Sequence, residues 1–314
     1  MNSTQPFRFG VVASQAPTGA AWLDHARHIE RLGFDTLVMP DSIAHGLSVL
    51  PMLAAAATAT TRLHLGTYVL ANDFRHPVLV AKDATTLAVL SDGRFELGIG
   101  AGHPGTGPDN AMLGRTFDQP GVRVSRLAES VGIIRRLLDG ETVTTTGEHY
   151  TTTDAHVVPY GTQPHHVPLL IGAGGTRMLT LAGRHADTVA LGIPLDADAD
   201  TAGKLVERVR DAERSRPVPA GAPAGAPGAS PTPAPVELNV NLMAVGDAVP
   251  RYLADRIDPT ALAASGALSV VTGSPQDMAD QLRDRRERLG ISYLVVSEEL
   301  VDAFTPVLGI LAGE

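Results

Sequence analysis

Eight short apolar runs, at residues 7–13, 34–39, 63–70, 95–100, 169–172, 188–191, 236–242 and 293–297, punctuate the chain almost from end to end. Most are continuous rather than alternating, the pattern of parallel strands covered on both faces. Parallel neighbours need crossovers, and helical stripes lie between the runs. Trp22, Ala26 and Ile29 share one face of a segment closed by Gly33, a residue suited to a helix C-cap. Val124, Leu127, Val131, Ile134 and Leu138 step by three and four, the spacing of one buried helix face. Ser274-Pro275-Gln276-Asp277 reads as an N-cap, a first-turn proline and an acid at the positive helix end. It opens a helix running through Met278 and Leu282 to Gly290. Eight such alternations in 314 residues predict one (β/α)8 barrel over 1–314, a fold of about 250 residues. A doubly wound open sheet satisfies the same periodicity.

Two stretches exceed what a barrel needs. Residues 140–167 are rich in Thr and β-formers and predict an extra hairpin between the fourth helix and the fifth strand. Residues 217–235 hold seven Pro, three Gly and six Ala in nineteen positions. Such a segment cannot bury a core, so it is expected to be a flexible surface insertion within the barrel.

Composition removes several function classes. With 44% hydrophobic and 19% charged residues the chain is not a disordered one. The net charge of −9 argues against a nucleic-acid partner, which calls for a basic stripe. No apolar run approaches the ~20 residues that cross a bilayer, and residues 1–7 carry neither a basic start nor an apolar signal core. There is no cysteine, so disulfides, thiolate catalysis and iron–sulfur ligation drop out, and the cytoplasm is the default setting.

Chemistry is expected where strands end. Gly98-Ile99-Gly100-Ala101-Gly102-His103 closes the fourth run; it reads as close backbone approach to a ligand or as a plain glycine turn. It is not a dinucleotide fingerprint, because His103 stands where the last glycine belongs. Gly172-Ala173-Gly174-Gly175-Thr176-Arg177 closes the fifth run and opens a helix through Met178 and Leu179. Free amides and the helix dipole there favour a phosphate, with Arg177 adding charge, or the segment is a tight turn. Asp41 and Ser42, with His45 nearby, form an acid/base set at a strand end, or else Asp41 caps a turn. Thr67 to Asp73 ends the third run, where Tyr68 either lines a pocket or packs on the barrel. The histidine spacings include no His-Glu-x-x-His or comparable cluster, so no metal site is expected. A Gly-x-Ser-x-Gly elbow is also absent, which weakens a hydrolase reading. Arg75, Lys82, Arg115, Arg123 and Arg126 are cations that could meet an anionic ligand or form solvated faces.

These segments resemble the bacterial luciferase-like monooxygenase superfamily, especially its branch using the deazaflavin coenzyme F-420 (F420). The resemblance runs through Leu32-Gly33-Phe34-Asp35-Thr36 and Pro40-Asp41, Leu65-Gly66-Thr67, and the stretch from Asp92-Gly93-Arg94 to Gly102. It continues with Gly121-Val122-Arg123, Arg126-Leu127, Pro168-Leu169-Leu170-Ile171-Gly172 and Ala182-Gly183-Arg184-His185-Ala186-Asp187. It implies a (β/α)8 barrel with the ring at the C-terminal mouth and Asp41 near the polar ring edge. Tyr68, Val69 and Ala71 would belong to a bulge, often with a non-proline cis peptide, that supports the ring. Ala101 and Gly102 would meet the coenzyme by backbone, and Gly174, Gly175, Thr176, Arg177, Met178 and Leu179 would hold its phosphate and tail. A homodimer through barrel helices is also implied.

Two positions depart from the sugar-phosphate dehydrogenases of that group: Ser42 stands in place of a histidine and His103 in place of a glutamate. Sugar-phosphate oxidation is therefore doubtful, and His103 becomes the expected proton donor or a pocket wall. The leading expectation is an oxidoreductase moving hydride between F420 and a small organic substrate, with His103, Asp41 and Ser42 as catalytic candidates. The alternatives are a monooxygenase using reduced flavin mononucleotide (FMN) and dioxygen, and a barrel without redox activity that binds or isomerises a small molecule.

Overall fold

The computed structural model describes residues 5–158, 166–216 and 234–314. Eight parallel strands close a barrel in chain order: Arg8–Val12, Thr36–Met39, His64–Thr67, Phe95–Gly100, Leu169–Ala173, Thr188–Leu191, Glu237–Leu242 and Ile291–Ser297. Pairing of the last strand with the first, Arg8 opposite Tyr293 through Val12 opposite Ser297, completes the ring. The open-sheet alternative is thereby excluded. Each strand is followed by a main helix, beginning with Gly19–Leu32 and ending with Val301–Leu311.

The local signals act as their chemistry dictates. Thr18 accepts from the Ala21 amide at the start of the first helix, and Gly33 ends it with φ of 92°, a conformation that glycine adopts without steric cost. Trp22, Ala26 and Ile29 are its buried face. Ser274 and Asp277 form a reciprocal capping box, with Pro275 at the first turn and Gly290 closing the helix at φ of 72°. The predicted hairpin is present as Val143–Thr146 paired antiparallel with Thr151–Ala155. The proline- and alanine-rich segment lies outside the described residues except for Ala234 and Pro235. The chain re-enters directly into the seventh strand, between the sixth and the eighth.

One expectation changes. The run 63–70 is not one strand: it stops at Thr67, the Tyr68–Val69 peptide is cis, and Leu70–Ala71 resumes alongside Ile99–Gly100. His25, on the first helix, is half-buried with its ring 6.3 Å from that of Trp22; burial lowers its pKa, with a further contribution from His28.

The barrel's N-terminal half is filled by polar groups rather than by oil. Arg8 bridges Glu96 at 3.0 Å and Glu237 at 2.7 Å. Tyr293 donates to Glu96 at 2.9 Å and lies 2.6 Å from the Thr36 hydroxyl, while Thr188 donates to Glu237. Buried charges survive only when paired and hydrogen-bonded, and every one of these is. This network fills the N-terminal end of the barrel. Among the described residues no helix is long and apolar enough to cross a membrane.

Candidate active site

The mouth holds a cavity of about 480 Å³ built from the ends of the third to seventh strands, a size typical of small-molecule sites. Its floor is the third-strand bulge. Val69 packs against the barrel interior beside Tyr68, whose hydroxyl donates to Asn239 Oδ1 at 2.7 Å. Burial pushes the Tyr68 phenol pKa up, so it stays protonated and holds this bond.

The fourth-strand glycines are explained by the bulge. Thr67 exchanges hydrogen bonds with Gly98 at 2.6 and 2.8 Å. A Cβ on Gly98 would lie 1.9 Å from the Thr67 carbonyl oxygen, and one on Gly100 would lie 2.9 Å from Val69. The close backbone approach expected at this segment is made by the protein's own third strand. Gly100 nevertheless lines the cavity as well.

Beyond the strand, Ala101, Gly102 and His103 form one wall. Gly102 sits at φ of 75°, and buried Arg123 clamps the loop from behind by donating to the carbonyls of Ala101 and Gly102 at 2.7 and 2.5 Å. His103 Nδ1 accepts from the Gly105 amide at 3.1 Å. A neutral ring with Nδ1 so engaged carries its proton on Nε2, the nitrogen left free to serve a ligand. The opposite wall is the fifth-strand turn. Gly174 packs on Gly192, and Gly175 is the N-cap of the helix Thr176–His185 with no side chain capping it. The first-turn amides and the positive helix end are therefore available to an anion.

The structure separates the remaining candidates. Tyr68, Val69, Ala101, Gly102, His103, Gly174, Gly175 and Met178 line the cavity; Asp41, Ser42, Ala71, Thr176, Arg177 and Leu179 do not. Leu179 points into the core, and Arg177 makes only a 3.4 Å contact with the Gly121 carbonyl. The trio Asp41, Ser42 and His45 does not converge as an acid/base set. Asp41 is bound by Arg75 at 2.5 and 3.1 Å and by the Ala71 amide at 3.1 Å. Ser42 donates to Asp109, and the His45 ring is exposed.

The five cations singled out in the sequence are likewise occupied internally. Arg75 holds Asp41, Arg115 the Asp73 carbonyl, Arg123 the loop carbonyls, Arg126 both Asp73 and Asp118, and Lys82 the Val157 carbonyl. The hairpin sends His149 and Tyr150 to a separate crevice with Arg75, Arg115 and Arg126. Among the described residues no three His, Asp or Glu side chains are grouped to hold a metal ion.

Sequence reasoning missed two walls. Ala190, Leu191, Gly192, Ile193 and Leu195 line the cavity from the end of the sixth strand, and Asn241 and Met243 from the end of the seventh, with Ser269 just ahead of Val270–Val271. For the seventh strand the signal was present: Glu237, Asn239 and Asn241 alternate with Leu238, Val240 and Leu242, a period of two that points polar side chains into the barrel.

A profile of the luciferase-like monooxygenase family matches residues 3–293. The chain belongs to this family. Within it, the chain is 36% identical over 193 residues to the F420-dependent glucose-6-phosphate dehydrogenase of Microbacterium testaceum, covering 59% of this chain and 56% of that one. The match thus spans little more than half of that relative's length. Among solved structures, an F420-dependent secondary alcohol dehydrogenase with an F420–acetone adduct superposes with a TM-score of 0.76 at 18% identity, covering 98% and 99% of the two chains. The F420-dependent tetrahydromethanopterin reductase of Methanopyrus kandleri gives 0.72 at 18%, covering 97% and 98%. At that identity the two structures share the barrel fold. In the family's terms, the cavity lies where strand C-termini carry the chemistry of such barrels.

Proposed function

We propose that this protein is an oxidoreductase that transfers a hydride between coenzyme F420 and a small organic substrate. The observation that carries the reading is the pairing, in one cavity, of an apolar bulge floor with an uncapped helix N-terminus. A flat conjugated ring fits against Val69 and Ala101, and a phosphate fits the amides after Gly174. The names of the curated relatives support the deazaflavin.

When bound, the coenzyme supplies or accepts the hydride. The chain's own groups bind and orient. Gly174, Gly175 and Met178 receive the phosphate side, with Arg177 nearby on the same first turn. Tyr68 and Val69 support the ring. Asp41, locked to Arg75 and the Ala71 amide, ties the ends of the second and third strands and so steadies that floor; its part is positioning. His103 Nε2 is the group that gives or takes the substrate proton, and Ser42 acts only through the loop it anchors to Asp109. The reading includes a homodimer in the cytoplasm; the exposed Leu79 and Leu90 on the helix Pro77–Leu90 support a covered helical face.

The test is a parallel fluorescence and calorimetric titration with oxidised F420 and FMN, followed by oxygen consumption during turnover. Preferential F420 binding without oxygen uptake is expected. Preference for FMN with oxygen uptake favours the monooxygenase alternative, and binding of neither leaves only a non-redox barrel. His103→Ala should cut turnover far more than coenzyme affinity; unchanged turnover removes His103 from proton transfer.

A further inference from the structure

Resting on the coenzyme reading, we infer that the substrate meeting the coenzyme here is uncharged, held through the Asn241 carboxamide, and is not a phosphorylated molecule. Among the described residues, the cavity lining contains no lysine, arginine, aspartate or glutamate. Neither lysine of the chain belongs to that lining. The chain has two lysines: Lys82 donates to the Val157 carbonyl, and Lys204 lies on an outer groove beside Thr180 and Arg184. Residues 1–4, 159–165 and 217–233 contain neither lysine nor arginine. Arg123, the arginine behind the His103 loop, spends its guanidinium on the Ala101 and Gly102 carbonyls. Arg177 stands on the turn that the coenzyme phosphate would use.

A phosphate monoester brings a charge of about −1.5 to −2. Burying it without a paired cation is strongly unfavourable. The walls contributed by Ile193, Leu195 and Met243 instead suit an apolar body.

Two polar side chains of the lining are already committed. Tyr68 is committed to Asn239, and the Ser269 hydroxyl to the Leu195 carbonyl. Asn241 Oδ1 is buried and has no hydrogen-bond partner. That oxygen is enclosed by the protein itself, so what Asn241 presents to the cavity is the rest of its carboxamide, whose N–H can donate to a substrate oxygen. The Asn241 amide and the protonated Nε2 of a neutral His103 are donors that an oxygen function of the substrate can engage. That fits uncharged alcohols and the carbonyl compounds they interconvert with.

The experiment reads coenzyme binding first, from the coenzyme's own fluorescence, with the parent protein and Asn241→Leu. Failure of the parent to bind F420 fails the coenzyme reading alone, and the ligands are then compared on the coenzyme-free protein. Cyclohexanol and glucose 6-phosphate, at equal concentration, are next scored by the melting temperature of the loaded protein, with inorganic phosphate as a control. Cyclohexanol should raise it, and glucose 6-phosphate should do no more than inorganic phosphate. In Asn241→Leu the cyclohexanol midpoint should weaken about fivefold, the scale of one neutral hydrogen bond, with coenzyme affinity within about twofold. The inference is overturned if glucose 6-phosphate stabilises beyond the control, if cyclohexanol gives no response, or if the substitution leaves that response unchanged. A parallel loss of coenzyme affinity overturns it too, by assigning Asn241 to the coenzyme.

Discussion

Replacing Arg75 with Met tests whether a buried ion pair holds the cavity floor in place. The Asp41 carboxylate is 3% exposed and takes two hydrogen bonds from Arg75, at 2.5 and 3.1 Å, and one from the Ala71 amide. Removing one member of a buried pair typically costs about 3–5 kcal/mol, because the survivor keeps its desolvation penalty. Arg75 is 21% exposed, so water reaches part of the site and the lower end applies, about 3 kcal/mol. The Asp41→Asn/Arg75→Met double variant leaves no unpaired charge. It should therefore recover most of the loss, with a coupling energy of about 2 kcal/mol. Urea unfolding at neutral pH measures both, read from the midpoint at constant slope. Because Asp41 ties Ala71 to the end of the second strand, Arg75→Met should also weaken F420 binding. A cost below about 1 kcal/mol, or a double variant as unstable as the sum of the singles, would refute the buried-pair argument.

The two glycine turns should respond differently to alanine. Gly98→Ala puts a Cβ 1.9 Å from the Thr67 carbonyl oxygen, a backbone atom that cannot swing aside; a loss of about 3 kcal/mol or more in urea unfolding is expected. Gly175→Ala meets nothing within 4 Å and should unfold at the parent's midpoint; a large loss there would show the turn to be tighter than described. His185 is half-buried, and burial, then Arg135, Arg216 and Arg184, lowers its pKa from 6.5. The folded state thus binds its proton less readily than the unfolded chain. The associated stability is present above about pH 6.5 and is lost as pH falls through the folded value. The stability of the parent relative to His185→Asn should accordingly shrink as pH falls below about 6.5; a constant difference would contradict the sign.

How far these features could be read without coordinates depended on whether the physics was local. Strands and helices were legible because burial on both faces forces continuous apolar runs, and because caps such as Ser274 and Gly33 act on their own turns. The glycine-rich ends of the fourth and fifth strands were legible as places where backbone must come close to something. What came close was not legible: at Gly98 it is Thr67, thirty-one residues away. The same limit hid the fates of Arg75, Arg115, Arg123 and Arg126, which look like free cations in the chain and are each taken up by a carbonyl or carboxylate from another segment.

Parallel pairing follows from residue order, because short apolar strands separated by amphipathic helices have no other way to bury both faces. That the eight strands close a ring rather than an open sheet was decided by the pairing of the last strand with the first. Closure is also what decided the site. It brought the seventh-strand asparagines opposite Tyr68 and filled the bottom of the barrel with the Arg8, Glu96 and Glu237 network. It left a mouth whose lining lacks lysine and arginine in a chain that has 25 of them. Pairings such as Arg75 with Asp41 join residues far apart in the chain, so no sequence window contains both the charge and its partner. Only the folded barrel determines which polar groups are satisfied and which, like Asn241 Oδ1, are left without a partner.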